Sequence, residues 1–406
     1  MMHLFSRLSS APRNIAAVLL AAAVAAAFPA AARATEIATG AMLGPSYKTD
    51  RFYIRRGGDW EQTYSGGRYR GKARGRLMMV DLPHALFEDE WLTEHEFDPD
   101  KNTDRVIAAL DTYAEYGVGA IGVSLQAGDP GYSKEVNGIS RSGVAGAGEK
   151  NGALISAFKR DGSLKPSWLA RLERLLKEAD RRGMIVCVTY FGRAQDEIFE
   201  SPRALVAAAR NMTDWLIEKN FRNVIINVAL GWDVEPENWD HGSFVPENIA
   251  HLLEDVRERF HNAAFALPIG ASSGNSMTYP ASLAQLCDVV LVLGNGMPVD
   301  RKRARLHDLQ SNLRPIWMID DDNSEPLGLA RLSRETASAD ALFVDGAGWG
   351  YRPSVQQMFP FAYEPAAESD LSAASGEQIA PTYFKAVLEH IAELVLKKPP
   401  QRRKKR

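Results

Sequence analysis

Short apolar runs and helical stretches alternate along this chain. Eight short apolar runs, at 77–80, 120–125, 184–190, 224–229, 265–269, 289–293, 316–319 and 341–344, are separated by stretches of helical periodicity. The runs are almost continuously apolar, as strands are when both faces are buried in a parallel sheet. Between them, Val106, Ile107, Leu110 and Tyr113 make one helical stripe. Leu169, Leu172, Leu175, Leu176 and Ala179 make another, opened by Pro166 and closed by Gly183. Ser201-Pro202 is an N-cap followed by a first-turn proline, ahead of Leu205, Val206, Met212 and Leu216. Ile249, Leu252, Leu253, Val256 and Phe260 repeat at 3.6-residue spacing. Shorter helices are expected near 281–286, 306–313 and 327–332, and a last one over 382–396. Eight strand–helix units with short connections predict an α/β fold, a single-domain (β/α)8 TIM barrel over 75–396. A doubly wound open sheet normally uses fewer strands, and no Gly-x-Gly-x-x-Gly follows the first run.

The flanks are different in kind. Arg7 and Arg13 precede an apolar run over 15–28, and Ala32-Arg33-Ala34 offers a small-x-small cleavage pattern. Residues 1–34 therefore read as a secretory signal peptide and place the mature protein in the periplasm or outside the cell. No later stretch is apolar enough to hold it in a membrane after cleavage. Residues 35–74 form an irregular N-terminal extension that packs under or beside the barrel, and 127–152 is a Gly- and Ser-rich loop after the second strand. Residues 397–406 are a basic, Pro-interrupted tail, expected to be disordered.

Several classes fall away. A net charge of −3 gives no general attraction to nucleic acid. Export permits disulfides, but Cys187 lies on one run and Cys287 just before another far from it around the ring, so both are expected to be buried thiols. His84 and His241 lack ligand-like spacing, so no metal site is implied, and no cofactor motif is present. The stretch "GASSGNS" lacks the spacing of a nucleophile elbow.

In such a barrel the side chains that do chemistry project from the C-terminal ends of the strands. Those ends carry Asp81 and His84, Gln126, Tyr190, Trp232, Asp233 and Glu235, Ser273 and Asn275, and Asn295. Asp320, Asp321, Asp322 and Asn323 follow the seventh run, and Trp349 and Tyr351 follow the eighth. Carboxylates and amides bond hydroxyls, and aromatic faces stack on the C–H face of a sugar ring. The expected ligand is therefore a carbohydrate.

The order "DPDKNTDR" (98–105), "GAIGVSLQAGDPGY" (119–132), "DGSLKPSWLARLERLLKEADRRGMIVCVTYF" (161–191), "FRNVIINVALGW" (221–232) and "RPIWMIDDDN" (314–323) resembles the cellulase-like barrels of the clan-A glycoside hydrolases, over roughly 75–350. The resemblance implies retaining hydrolysis by two glutamates, an acid/base after an Asn at the end of the fourth strand and a nucleophile at the end of the seventh. It also implies that Trp349 in "GAGWGY" matches the aromatic that stacks under the reacting sugar.

Both chemical positions depart from that pattern. Leu230-Gly231 stand where Asn-Glu is expected, and Asp320 where the nucleophilic Glu is expected. Leu230 cannot bond a sugar hydroxyl and Gly231 cannot donate a proton. Asp233 or Glu235 would have to serve as acid, with Asp320 as nucleophile or base. A displaced acid and a shortened partner fit the wider carboxyl separation of inverting chemistry, about 6.5–9.5 Å, better than the roughly 5–5.5 Å of retaining chemistry. Two readings follow: an exported glycosidase, or a sugar-binding barrel that has lost catalysis.

Overall fold

The computed structural model describes residues 36–39, 52–56, 59–62, 77–88, 98–127, 135–136, 139–140, 155–192, 195–233, 239, 241, 246–274, 276–321, 327–353, 363 and 376–396. The segments read as a signal peptide (1–34) and a basic tail (397–406), together with Glu235, Asn275, Asp322 and Asn323, lie outside these residues.

In chain order the strands are β1 (Glu36–Thr39), β2 (Phe52–Arg56), β3 (Asp59–Gln62), β4 (Met78–Asp81), β5 (Ala120–Ser124), β6 (Gln126–Ala127), β7 (Glu135–Val136), β8 (Ile139–Ser140), β9 (Ile155–Ser156), β10 (Ile185–Phe191), β11 (Val224–Leu230), β12 (Ile269–Ser273), β13 (Val290–Leu293), β14 (Ile316–Asp320) and β15 (Gly348–Tyr351). The α-helices are α1 (Pro99–Glu115), α2 (Pro166–Arg182), α3 (Pro202–Glu218), α4 (Pro246–Glu258), α5 (Ala281–Leu286), α6 (Val299–Gln310), α7 (Leu329–Asp345) and α8 (Gly376–Leu396). Strands β10-β11-β12-β13-β14-β15-β4-β5 close into a parallel barrel, the (β/α)8 fold that the alternation implies.

Local chemistry explains the punctuation. Asp98 caps α1 by accepting from the N–H groups of Asp100 and Lys101, and Ser201 caps α3 through Ala204. Gly183 ends α2 at φ 69°, a left-handed value that glycine adopts without a Cβ penalty. The extension is more ordered than expected: β1, β2 and β3 form an antiparallel sheet. The Ile37 N–H donates to the Arg222 carbonyl just before β11, which seats β1 at the N-terminal end of that strand. Among the described residues no helix is long and apolar enough to cross a membrane.

Two expected boundaries are corrected. Residues 341–344 belong to α7, and the eighth strand is β15. Ala341 and Leu342 are buried while Val344 is 68% exposed, a helical rather than an extended pattern. The fifth strand begins at Ile269, where the 265–269 run ends. Its Phe265 leaves the sheet and packs under the Arg222 guanidinium, 4.8 Å from the ring centre.

Candidate functional site

Alternation along the strands decides which strand-end residues face the lumen. On β15, Tyr351 packs against Tyr383 and Phe384 of α8, so it faces the helices. Trp349, two residues earlier, stacks on Tyr351 and donates from Nε1 to Asp321 at 2.9 Å. Both rings are buried, at 0% and 1% exposure, so neither is presented to a ligand in the lumen. The opposite face of β15 carries Gly348 and Gly350. A Cβ on Gly348 would meet the Trp317 ring at 2.5 Å, so this strand is thin where its neighbour's indole fills the lumen.

Arg352 follows Tyr351 and precedes Pro353. A residue before proline is biased to extended backbone, and the parity sends Arg352 to the lumen. There its guanidinium donates from Nε and Nη2 to Asp81 Oδ2, at 2.9 and 2.8 Å. Nη2 also lies 2.9 Å from Asp320 Oδ2. Asn295 adds a 3.5 Å contact from Nδ2 to the same Asp320 oxygen. Asp81 has room because Gly122 stands beside it: a Cβ there would lie 2.2 Å from Asp81 Oδ1.

Asp320 reaches the lumen through an irregularity. The β13–β14 register steps from Val292↔Met318 to Leu293↔Asp320, so one extra residue, Ile319, is accommodated on β14. Such a bulge re-aims the side chains that follow it. Asp320 then joins Arg352, while Asp321 turns to the helix side. It accepts there from Lys302 Nζ of α6 at 2.5 Å, and Lys302 also donates to Ser338 of α7 at 2.8 Å.

Below the mouth lies a polar belt that the strand-end survey misses. Ser124, Thr189, Asn227 and Ser272 share the lumen-facing parity of Gly122 and Gly270. Asn227 Nδ2 donates to Thr189 Oγ1 at 3.1 Å and to Ser272 Oγ at 3.3 Å, and its Oδ1 accepts from the Ser272 N–H. Cys187 belongs to the same face. Burial pushes its thiol far up, and the nearby Asp81 charge adds to the shift. Both cysteines are free and buried, as the separation of their strands implies.

The end of β11 carries Leu230 and Gly231, where the resemblance leads one to expect Asn-Glu. A register shift between Asn227 and Leu230 precedes Leu230↔Ser272. Gly231 follows at φ 63°, with its N–H donating to Ser272 Oγ at 3.2 Å. Trp232 is 3% exposed and meets Tyr279 edge-on. Asp233 is half-buried and accepts a hydrogen bond from the Gly274 N–H. Burial raises its carboxyl above the ordinary value, and the Gly274 N–H opposes part of that rise.

Two further expected ligand contacts, Gln126 and Tyr190, are corrected by their partners. Gln126 is consumed: its Nε2 donates to Ser156 Oγ and to the Gln195 carbonyl, and its Oε1 accepts from the Gly192 N–H. With 2% exposure it fastens the end of β5 to β9 and to the segment after β10. Tyr190 points outward, its hydroxyl 3.2 Å from Thr213 of α3. His84 is 3% exposed, set edge-on to Phe87 in the turn after β4.

The mouth is thus a strand-end carboxylate site at the C-terminal face of a (β/α)8 barrel, the class of fold that carries glycoside hydrolases among many other enzymes. Among solved structures, the chain is similar to a family 5 glycoside hydrolase from Bacteroides vulgatus, at 13% identity and a TM-score of 0.51, covering 88% of this chain and 70% of that one. It is also similar to a family 5 glycoside hydrolase from Prevotella bryantii, at 9% identity and a TM-score of 0.51, covering 82% of this chain and 98% of that one. At these identities the likeness is one of fold. No family model matches the sequence, and no curated protein matches it.

Proposed function

We propose that the chain is an exported glycoside hydrolase-like protein that takes a poly- or oligosaccharide at the C-terminal mouth of its barrel. The observation that carries this reading is the unequal treatment of carboxyls at that mouth. Asp320 sits beside a guanidinium, whose charge favours the carboxylate, while burial favours the protonated form of Asp233. Acid and base assignments follow when environments separate two carboxyls in this way. Asp233 is then the general acid and Asp320 the base or nucleophile. The fold shared with two family 5 glycoside hydrolases supports the same class. The arginine-flanked apolar leader supports export.

A second reading has its own observation. Asp320 is 1% exposed and Gly231 has no side chain at the expected acid position. Both favour a barrel that binds glycan without cleaving it. The separating experiment is reducing-sugar release over a panel of polysaccharides, with Asp320→Asn and Asp233→Asn alongside. Loss of about 100-fold or more in kcat for Asp233→Asn marks it as the acid. Binding on a glycan array without release from any substrate selects the second reading.

A further inference from the structure

Arg352 is a residue that neither the strand-end survey nor the resemblance singles out, yet it ties together strands from two sides of the barrel seam. Three local features converge on it. Pro353 holds the chain extended, so Arg352 enters the lumen opposite Tyr351. Gly122 clears the space in which the Asp81 carboxylate sits. The extra residue in β14 turns Asp320 inward. The result is one guanidinium shared by two carboxylates, with side-chain exposures of 16% for Arg352, 14% for Asp81 and 2% for Asp320.

We propose that Arg352 is the positioning residue of this site: it fixes the orientation and the charge of Asp320 by bridging it to Asp81. The inference rests on the reading of Asp320 as base or nucleophile. A planar fork can hold two carboxylates at once, whereas an ammonium is a point charge on a flexible stem. Asp320 Oδ2 is the oxygen engaged, by both Arg352 and Asn295. A side chain this buried keeps an ionised carboxylate only with such a partner beside it. Among the described residues, Arg352 from the end of β15, Asn295 from the end of β13 and Cys187 from β10 face Asp320 or Asp81. The neighbouring Asp321 is engaged away from the lumen by Lys302.

The test uses the full chain and two readouts. The first follows the carboxyl carbon of Asp320 by NMR on aspartate-labelled protein, the signal being assigned with Asp320→Asn. In Arg352→Met the Asp320 titration midpoint rises by about one to three pH units, the range expected when an opposite charge within hydrogen-bonding distance is removed. In Arg352→Lys the midpoint moves by less than half of that. An unchanged midpoint in a folded Arg352→Met protein overturns the proposal. The second readout is steady-state hydrolysis. Arg352→Lys keeps the charge but loses the fork, so kcat falls at least tenfold while KM stays within about threefold, and Arg352→Met also moves the acid limb of the pH profile upward. Equal pH profiles and kcat values in both variants overturn the proposal. If the parent chain hydrolyses nothing, the hydrolase reading fails, and the NMR titration still decides the role of Arg352. Thermal melts separate misfolding from either result, and a folded Arg352→Lys protein keeps the test open where Arg352→Met does not fold.

Discussion

Lys302→Met isolates the buried pair that holds the end of β14 against the helices. Lys302 and Asp321 have side-chain exposures of only 5% and 3%, with 2.5 Å between Nζ and Oδ1. The substitution removes the ammonium but leaves the carboxylate buried, with Trp349 Nε1 as its remaining hydrogen-bond donor given by the geometry. Ser338 Oγ loses its donor as well. Breaking one side of a buried ion pair costs about 3–5 kcal/mol, chiefly because the survivor's charge is uncompensated. With a urea dependence near the upper end of the usual range, about 3 kcal/mol per molar, the midpoint falls by on the order of 1 M. Replacing both partners, as in Lys302→Met with Asp321→Leu, removes the orphaned charge. It should recover at least about 2 kcal/mol of the loss, since apolar replacement of a buried pair is often neutral. Urea unfolding followed by tryptophan fluorescence measures both. A single-variant loss below about 1 kcal/mol, or a double variant no better than the single one, would refute the claim that this pair is charged and solvent-free.

Four further outcomes are expected. Gly122→Ala forces its Cβ against Asp81 Oδ1, so stability falls by about 1–3 kcal/mol in chemical denaturation and the Asp81–Arg352 bond is broken in a crystal structure. Gln126→Leu strands the Gly192 N–H and the Gln195 carbonyl in a buried setting and costs at least about 2 kcal/mol, read by the same assay. Because burial raises the Asp233 carboxyl in the folded chain, the fold binds more protons than the unfolded chain just above the ordinary value of 3.8. The wild type therefore loses stability as pH rises through that window, and Asp233→Asn, measured at pH 3.5 and 7, gains on it at the higher pH. The Cys287 thiol is pushed up to about 11 by burial, so alkylation by iodoacetamide at pH 8 should track unfolding; rapid labelling of the native protein would contradict its burial.

The barrel was legible because its signals are local and repeated. Proline at the first helical turn, glycine past the last, and apolar stripes at 3.6-residue spacing mark α2 and α3 at their observed starts, at Pro166 and Pro202. β15 was hidden because "GWGY" has two glycines and little β-propensity, while the preceding residues extend an amphipathic helix. That misplacement also concealed Arg352: with the strand ending at Tyr351, simple alternation sends the next side chain inward. Tyr190, Trp349 and Tyr351 read as ligand contacts in the sequence because a strand end has two faces, and only tertiary packing tells which one meets the helices. Asp320 and Asp321 show the sharper limit. Which acid faces the lumen depends on a one-residue bulge in β14, a feature of strand pairing that no single run of sequence displays.

On the proposed hydrolase reading, the geometry limits where the acid and the base of this mouth can stand. At φ 63°, position 231 lies in the left-handed region, where a side chain costs roughly 1 kcal/mol relative to glycine. Placing an acid there by Gly231→Glu would strain the backbone and disturb the N–H that donates to Ser272. An acid for this mouth therefore has to come from further along the loop. Asp233 is the one described carboxyl there, braced by Gly274 at the end of the adjacent strand. On β14, Asp320 has a side chain one methylene shorter than a glutamate and is held beside Arg352. On the proposed reading the acid stands two residues beyond Gly231 and the base is a short aspartate held beside Arg352, so the gap between them should favour a water molecule over direct attack on the sugar. If the chain hydrolyses a glycosidic bond, proton NMR of the first-formed sugar should show inversion at the anomeric carbon. Net retention would place the acid or the nucleophile on other residues than Asp233 and Asp320.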